Sequence, residues 1–207
     1  MIDELFQDQK LIEKIQARLP ELFQLAELES SRAGKVGMEV GTVREKILIA
    51  LLILQYGDEN VRSDLPITEP EVDVIVRGNP ISIKTMTGKY LGGVKLIWTV
   101  DREKALEFGQ NYEPACDMFL VHINWNGKGG LYYFSKELQK NILNKVGREQ
   151  YLKLPKPGTN PRGVEMSTLA IRTLAKHSQS LKIPVKWEKK EIKFDPYERW
   201  IELWKQD

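Results

Sequence analysis

Glu-Val-Asp-Val-Ile-Val-Arg-Gly-Asn-Pro-Ile-Ser-Ile-Lys-Thr, residues 71–85, carries the clearest structural pattern in the chain. Two β-branched runs, 72–76 and 81–85, flank the turn sequence Arg-Gly-Asn-Pro. β-branched residues favour strands, whereas glycine, asparagine and proline favour tight turns. Because side chains alternate between the two faces of a strand, Asp73 and Lys84 are predicted to lie on one face of a β-hairpin.

An acid and a lysine on one face of a hairpin are suited to metal-dependent hydrolysis of a phosphodiester. A divalent metal ion polarises the phosphate and activates water. Asp73 can supply one of the few carboxylate ligands that Mg²⁺ takes, and Lys84 can stabilise the charge that develops on the phosphate. The alternative is a surface salt bridge, which contributes little to stability. The pair alone therefore does not establish a nuclease.

The composition is typical of a soluble protein. The 207 residues are enough to bury a sizeable core and are predicted to form one domain over 1–207. The net charge of +2 is too small to identify a nucleic-acid binder, so any basic surface must come from local clustering. The single Cys116 excludes an internal disulfide and fits the reducing cytoplasm. No apolar run is long enough for a transmembrane helix, and the acidic N-terminus is unlike a secretory signal.

The region before the hairpin is predicted to be helical with one loop. Helical spacing of apolar residues predicts a helix over 1–19, which Pro20 ends, and a second helix over 21–29. The glycine-rich segment 30–41 is predicted to be a loop, in which Arg32 and Lys35 can meet phosphates.

Met38 lies between two glycines of this loop. It packs back onto the domain, which the residues alone favour, or it enters a base step as an apolar wedge.

Thr42 and Glu45 have the spacing of a capping box at the start of an apolar helix that stops at Gly57. Capping fully explains Glu45. The start of a buried helix beside the hairpin is also a place from which a second metal carboxylate can come, and Glu71, on the same strand face as Asp73, competes for that role.

After the hairpin, strands and helices alternate and predict an α/β (α+β) core with a mixed central sheet flanked by helices. The segment 86–93, with Lys89, is predicted to be flexible. The predicted strands are 94–100, 117–125 and 131–134, and the predicted helices are 101–108 and 136–145, with a turn at 126–130.

The last third is predicted to contain a loop, a helix, a strand and a final helix. A proline-rich loop over 151–162 precedes a predicted helix over 165–177, where Arg172 and Lys176 are suited to DNA or form an ordinary solvated helix end. A strand over 181–187 follows. A final helix begins at Asp195-Pro196 and carries two tryptophans, which is typical of a core or a dimer interface.

The order of elements, with an acid on the first hairpin strand and a lysine on the second, resembles the PD-(D/E)XK nuclease core. The literal motif is degenerate here. No proline precedes Asp73, and Ser82 stands two residues before Lys84, where that family usually has an acid. One metal-binding carboxylate must therefore come from elsewhere.

The chain resembles more closely the ThaI-type restriction endonucleases, in which the acid comes from the preceding helix and a methionine lies seven residues before it. Met38 precedes Glu45 by seven residues, Asp73 follows Glu45 by 28, and Lys84 follows Asp73 by 11. The match covers roughly residues 35–125, with a nuclease core over about 42–135. Segments 1–30 and 150–207 are left for dimerisation and DNA binding.

This resemblance implies a Mg²⁺-dependent type II restriction endonuclease of the prokaryotic cytoplasm. Glu45 and Asp73 would be metal ligands, with the main-chain carbonyl of Ile83 completing the shell, and Lys84 would be the catalytic lysine. Met38 would insert into the base stack from the minor groove. Lys35, Arg32, Lys89, Arg172 and Lys176 are the candidate DNA-binding residues.

The implied target is double-stranded DNA at a CG-rich palindrome such as CGCG, cut to blunt ends. A palindromic site mirrors two-fold symmetry, so the protein is predicted to be a homodimer. Neither a membrane nor a small-molecule substrate is expected. Two alternatives remain: a repair or junction nuclease of the same fold, and a DNA-binding protein without catalysis, which the missing acid at Ser82 supports.

Overall fold

The structure is a computed structural model, and it describes residues 2–32, 35–66, 71–156 and 162–206. No helix among them is long and apolar enough to cross a membrane. The helices are α1 (Gln9–Glu29), α2 (Val40–Tyr56), α3 (Arg102–Asn111), α4 (Lys136–Val146), α5 (Arg148–Tyr151), α6 (Thr168–Lys176) and α7 (Glu198–Trp204). The strands are β1 (Ser31–Arg32), β2 (Lys35–Val36), β3 (Val61–Arg62), β4 (Val74–Val76), β5 (Asn79–Thr87), β6 (Val94–Ile97), β7 (Asp117–Ile123), β8 (Gly127–Phe134), β9 (Leu152–Lys153), β10 (Val164–Met166) and β11 (Leu181–Trp187).

A six-stranded mixed sheet forms the centre, in the order β11-β8-β7-β5-β4-β3. β5 and β7 are parallel, and the other neighbouring strands are antiparallel. The predicted fold class, a mixed sheet flanked by helices, is confirmed.

The predicted hairpin is formed by β4 and β5, with Val74 opposite Ile81. Its turn places Arg77 and Gly78 at φ values of 48° and 82°. Positive φ at both central residues matches the right-handed twist of the two strands.

Side chains of β7 are buried on both faces of the sheet. Met118 and Leu120 belong to one hydrophobic cluster, with residues of α3, α4 and α6, whereas Phe119 and Val121 belong to a second cluster, with residues of α1 and α2. Helices therefore cover the sheet on both sides, as alternation along a doubly buried strand requires.

Two predictions in the N-terminal region are wrong. Pro20 does not end a helix, because α1 runs through it to Glu29. A proline inside a helix costs about 3 kcal/mol, and burial of the apolar face of α1, including Leu19 and Phe23, outweighs that cost. The predicted loop 30–41 contains the short β1–β2 hairpin.

The predicted capping box is also wrong. α2 begins at Val40, with Glu39 as its N-cap, so Thr42 lies within the helix. Its end at Gly57 agrees with the prediction. Glu45 is consequently an interior residue of the helix, and no cap hydrogen bond accounts for its carboxylate.

The predicted third strand forms but joins a different sheet. β6 ends at Ile97 and pairs with β10, which also pairs with β9. Strand β9 lies within the predicted loop 151–162, and β10 overlaps the start of the predicted helix 165–177. The helix α6 therefore begins only at Thr168. Strand β8 likewise begins at Gly127, inside the predicted turn.

Candidate functional site

Asp73 directly precedes β4 and accepts three hydrogen bonds from β5. Its Oδ2 is 2.6 Å from the Ile83 main-chain nitrogen, 3.2 Å from Ser82 Oγ and 3.2 Å from Lys84 Nζ. Both the Asp73 and Lys84 side chains are about one-fifth exposed. All three contacts fall on Oδ2, which leaves Oδ1 without a hydrogen-bond partner among the described residues.

Glu45 projects from the second turn of α2 towards this pair. Burial raises the pKa of Glu45, and the negative charge of Asp73 raises it further, whereas Lys84 and Lys46 act in the opposite direction. Two carboxylates therefore repel each other in a partly buried place, and a cation between them would relieve that repulsion.

Glu45 and Lys84 line one open cavity of about 420 Å³. Ile83 also lines it. The N–H and C=O of one strand residue point to the same side of the strand, so the Ile83 carbonyl lies on the side on which its N–H meets Asp73. The remaining lining residues are Gly41, Thr85, Gly93, Val94, Lys95 and Glu165.

The oxygen donors suit a hard divalent cation. Mg²⁺ binds through one or two carboxylates and keeps several waters, and Glu45, Asp73 and the Ile83 carbonyl could hold it. No group of three or more His, Cys, Asp and Glu side chains suited to a metal occurs in the part of the chain that the structure describes. A site built on two carboxylates is therefore the richest that these residues offer here.

Glu71, the alternative carboxylate, lines a separate cavity of about 440 Å³ with Tyr112 and Glu113. Burial raises the pKa of Glu71 to about 7, although a hydrogen bond from the Ala115 main chain acts to lower it. Its charge in turn raises the pKa of Cys116, whose thiol is already held protonated by burial. The structure thus places Glu45 and Glu71 in different cavities.

Lys95 and Glu165 line the Glu45 cavity but were not predicted as site residues. They oppose each other across β6 and β10. Glu165 Oε2 accepts from Lys153 Nζ at 2.8 Å, and Lys95 Nζ lies 4.1 Å from the Trp98 ring centroid. Alternation in β6 could have indicated Lys95, because Val94 and Leu96 are the buried positions, but nothing local indicates its pairing with Glu165.

The predicted DNA-binding residues are spread over several loops and elements. Met38 is 86% exposed in the turn between β2 and α2, and Lys35 is exposed on β2. Lys89 lines an open cavity with Asn124 and Trp125 at the end of β5 and β7. The side chain of Arg32 lies outside the described residues.

Arg172 and Lys176 are both exposed on α6. Arg172 Nε donates to the Leu91 carbonyl at 3.1 Å, so α6 is fastened to the segment that follows Lys89.

The comparisons with known proteins identify the family of the chain. The sequence model of the restriction endonuclease ThaI family matches residues 5–206. A solved structure described as a restriction endonuclease in complex with substrate DNA is 52% identical, covers 98% of each chain and superposes with a TM-score of 0.92. No curated protein matches the sequence. With a family match over nearly its whole length, the chain belongs to the ThaI restriction endonuclease family and is a site-specific deoxyribonuclease.

Proposed function

We propose that this protein is a Mg²⁺-dependent type II restriction endonuclease with a site of the PD-(D/E)XK kind. Glu45, Asp73 and the Ile83 carbonyl are its metal ligands, and Lys84 is its catalytic lysine. One observation carries the proposal. Asp73 Oδ2 accepts hydrogen bonds from the Ser82 hydroxyl, the Ile83 N–H and Lys84 Nζ, which holds Lys84 beside the carboxylate. The negative charge of the same carboxylate raises the pKa of Glu45.

Each residue has a separate task in hydrolysis of the phosphodiester. Mg²⁺ supplies charge stabilisation for the phosphate and lowers the pKa of water. Asp73 is oriented by the Ile83 N–H and the Ser82 hydroxyl, which both donate to Oδ2 and leave Oδ1 available to a metal ion. Lys84 holds a positive charge where negative charge grows on the phosphate oxygens. Water adds to phosphorus and loses a proton to the solvent, the bond between phosphorus and the 3′ oxygen breaks, and that oxygen takes a proton from a second water molecule.

The target we propose is double-stranded DNA with a CG-rich palindrome such as CGCG, cut to blunt ends by a homodimer. The similar structure that contains substrate DNA supports the choice of nucleic acid. Met38 inserts into the base stack, which its exposure at the β2–α2 turn permits. Lys35, Lys89, Arg172, Lys176 and Arg32 contact DNA.

We further propose that residues 1–207 act as one nuclease domain in the cytoplasm, with the catalytic core at about 42–135. The segments 1–30 and 150–207 serve dimerisation and DNA binding. Family membership disfavours the two alternatives, a repair or junction nuclease and a non-catalytic DNA-binding protein.

Digestion of a long plasmid with Mg²⁺ and with EDTA tests the proposal. Discrete fragments are expected only with Mg²⁺, and sequencing of their ends gives the site and the cut. Asp73→Asn and Lys84→Ala should each reduce the cleavage rate by about 100-fold or more, since the first weakens the proposed metal site and the second removes a positive charge at the reacting phosphate. Lys186→Ala, which removes an exposed lysine paired with Glu188, is the matched control. Cleavage in EDTA, or full activity of Lys84→Ala, contradicts the mechanism.

A second pair of variants separates the two candidate carboxylates. Glu45→Gln should raise the Mg²⁺ concentration needed for half-maximal cleavage and lower the maximal rate. Glu71→Gln should change both much less, because Glu71 lines another cavity and only its charge acts on Asp73 and Lys84. The reverse pattern would assign the metal to Glu71.

A further inference from the structure

Two lysines, Lys84 and Lys95, line the Glu45 cavity, but their charges are balanced differently. Lys84 Nζ forms an ion pair with Asp73 Oδ2 at 3.2 Å. Lys95 forms no ion pair with any carboxylate in the part of the chain that the structure describes. Its Nζ instead lies 4.1 Å from the centroid of the Trp98 ring, a contact that orders the ammonium group but leaves its positive charge uncompensated.

The acid that lies opposite Lys95 is already paired with another lysine. Glu165 of β10 is directly opposite Lys95 of β6 on one side and Lys153 of β9 on the other. Residues directly opposite each other in an antiparallel pair point to the same face of the sheet. Glu165 Oε2 accepts from Lys153 Nζ at 2.8 Å, so this row of three side chains keeps one unpaired positive charge, at the Lys95 end.

The main chain that carries Lys95 is firmly held. Its neighbours on β6, Val94 and Leu96, are 5% and 4% exposed and point into the core on the opposite face. Gly93, directly before β6, lies so close to β10 that a Cβ atom there would be 2.6 Å from the Met166 carbonyl oxygen. Only the side chain of Lys95 therefore has to be ordered when a ligand binds, which keeps the entropic cost low.

A DNA strand that enters the Glu45 cavity brings more than one phosphate to its walls. Successive phosphates of one strand are about 3.4 Å apart along the helix axis, so the neighbours of the scissile phosphate lie beside it. In the proposed function Lys84 acts on the scissile phosphate. Lys95, on another strand of the same cavity and without a counter-ion, is available to a neighbouring phosphate.

We propose that Lys95 binds the phosphate next to the scissile phosphate on the strand that is cut, and thereby positions that strand over Glu45, Asp73 and Lys84. The inference rests on the proposed function and adds a residue to its substrate-binding site. Lys95 takes no part in the making or breaking of bonds.

Binding of a cognate duplex in EDTA tests the contact without cleavage. The duplex contains the site that sequencing of the cleaved plasmid ends gives. Lys95→Met keeps the length of the side chain and removes its charge, so it should lower the affinity about 10-fold and the slope of log affinity against log salt concentration by about 1. Lys95→Arg, which keeps the charge, should retain most of the affinity. Lys145→Met, in the last turn of α4, is the matched control and should bind as the wild type does.

Thermal unfolding shows whether Lys95→Met folds as the wild type does. If its transition is shifted, Lys95→Gln, which is also uncharged, takes its place in every comparison. An uncharged variant with wild-type affinity and salt slope overturns the proposal, and so does a Lys95→Arg variant that binds as weakly as Lys95→Met.

Neutral phosphate analogues identify the phosphate that Lys95 contacts. Three duplexes each carry one methylphosphonate per strand, at the scissile phosphate or at its neighbour on the 5′ or the 3′ side. One of the two flanking duplexes should bind the wild type about 10-fold more weakly than the unmodified duplex does. Lys95→Met should bind that duplex and the unmodified one equally well, because both changes remove the same contact. Equal losses in both proteins at both flanking positions, or coupling at the scissile phosphate alone, overturn the assignment.

Single-turnover cleavage at saturating protein concentration separates this inference from the proposed function. Lys95→Met should cut within about 10-fold of the wild-type rate once the DNA is fully bound, whereas Lys84→Ala should remain slower by about 100-fold or more. A Lys95→Met rate as low as that of Lys84→Ala overturns the flanking assignment. A wild type that cuts DNA while Lys95→Met binds it equally well overturns this inference alone, and a wild type that cuts no DNA overturns the proposed function as well.

Discussion

Arg44 and Glu27 form an ion pair of 2.6 Å in which both side chains are less than one-tenth exposed. Glu27 also accepts from Trp125 Nε1 at 2.7 Å and from Lys189 Nζ at 3.1 Å. Arg44 directly precedes Glu45, and its Nη1 donates to Thr87 Oγ1 at the end of the strand that carries Lys84. The pair therefore links α1 and α2 to β5 and helps to fix the distance between Glu45 and Lys84.

Glu27→Gln should destabilise the protein by about 3–5 kcal/mol, because it leaves the Arg44 charge buried without its counter-ion. Lys189→Met removes a half-exposed partner of the same carboxylate and should cost about 1 kcal/mol or less. Urea denaturation of the two variants and the wild type measures both values. Similar losses for both would show that burial does not strengthen the Arg44 contact.

Glu71 should make stability depend on pH. Burial raises its pKa from 4.5 to about 7, so folding favours the protonated carboxyl. Its stabilising contribution is fully present below about pH 4.5 and is lost as the pH rises through 7, a change of roughly 3 kcal/mol at about 1.4 kcal/mol per unit. Glu71→Gln, which cannot ionise, should keep its free energy of unfolding over that interval in metal-free buffer. Parallel pH profiles for the two proteins would contradict the prediction.

Met38→Ala should leave stability unchanged within about 0.5 kcal/mol, since the side chain is almost fully exposed. It should abolish the fluorescence increase of a 2-aminopurine placed at the centre of the target, because an inserted side chain unstacks that base. Val36→Ala, another exposed apolar residue of the same segment, is the control. An undiminished fluorescence signal from Met38→Ala would exclude insertion by this residue.

Lys35→Ala and Lys89→Ala should each lower the slope of log affinity against log salt concentration by about 1, because each lysine releases about one counter-ion when it meets a phosphate. Fluorescence anisotropy with a cognate duplex in EDTA gives the slopes without cleavage. Lys145→Ala, in the last turn of α4 and outside the segments proposed for DNA binding, should leave the slope unchanged. A slope that stays at the wild-type value in all three variants would show that the DNA does not contact the segments that carry Lys35 and Lys89.

The local part of the fold was predictable from sequence. The hairpin follows from two β-branched runs around a turn, and β11 from the strict alternation that buries Ile183, Val185 and Trp187. The sequence alone indicated the Asp73–Lys84 pair, because residues on the two strands of a hairpin are close both in sequence and in space. Their contact across 11 residues needs no knowledge of the tertiary structure.

The rest depends on contacts between distant segments. Glu27 meets Trp125 across 98 residues, and Glu165 reaches the Glu45 cavity through a pairing of β6 with β10 that no local pattern encodes. Pro20 and Thr42 show how contacts between distant segments can also override a local pattern. Each matches a local signal for a helix boundary, and tertiary packing of α1 and α2 overrides both signals.

The small sheet of β9, β10 and β6 can form only late in translation, after the proposed catalytic residues have been synthesised. Glu45, Asp73 and Lys84 are translated early, but Glu165, which lines the same cavity as Glu45 and Lys84, belongs to a strand formed by residues 164–166. The central sheet also gains its edge strand, β11, only at residues 181–187. A nascent chain that has emerged to residue 160 has every proposed catalytic residue and neither of these supports. We therefore expect that host DNA meets an assembled nuclease only after synthesis is nearly finished.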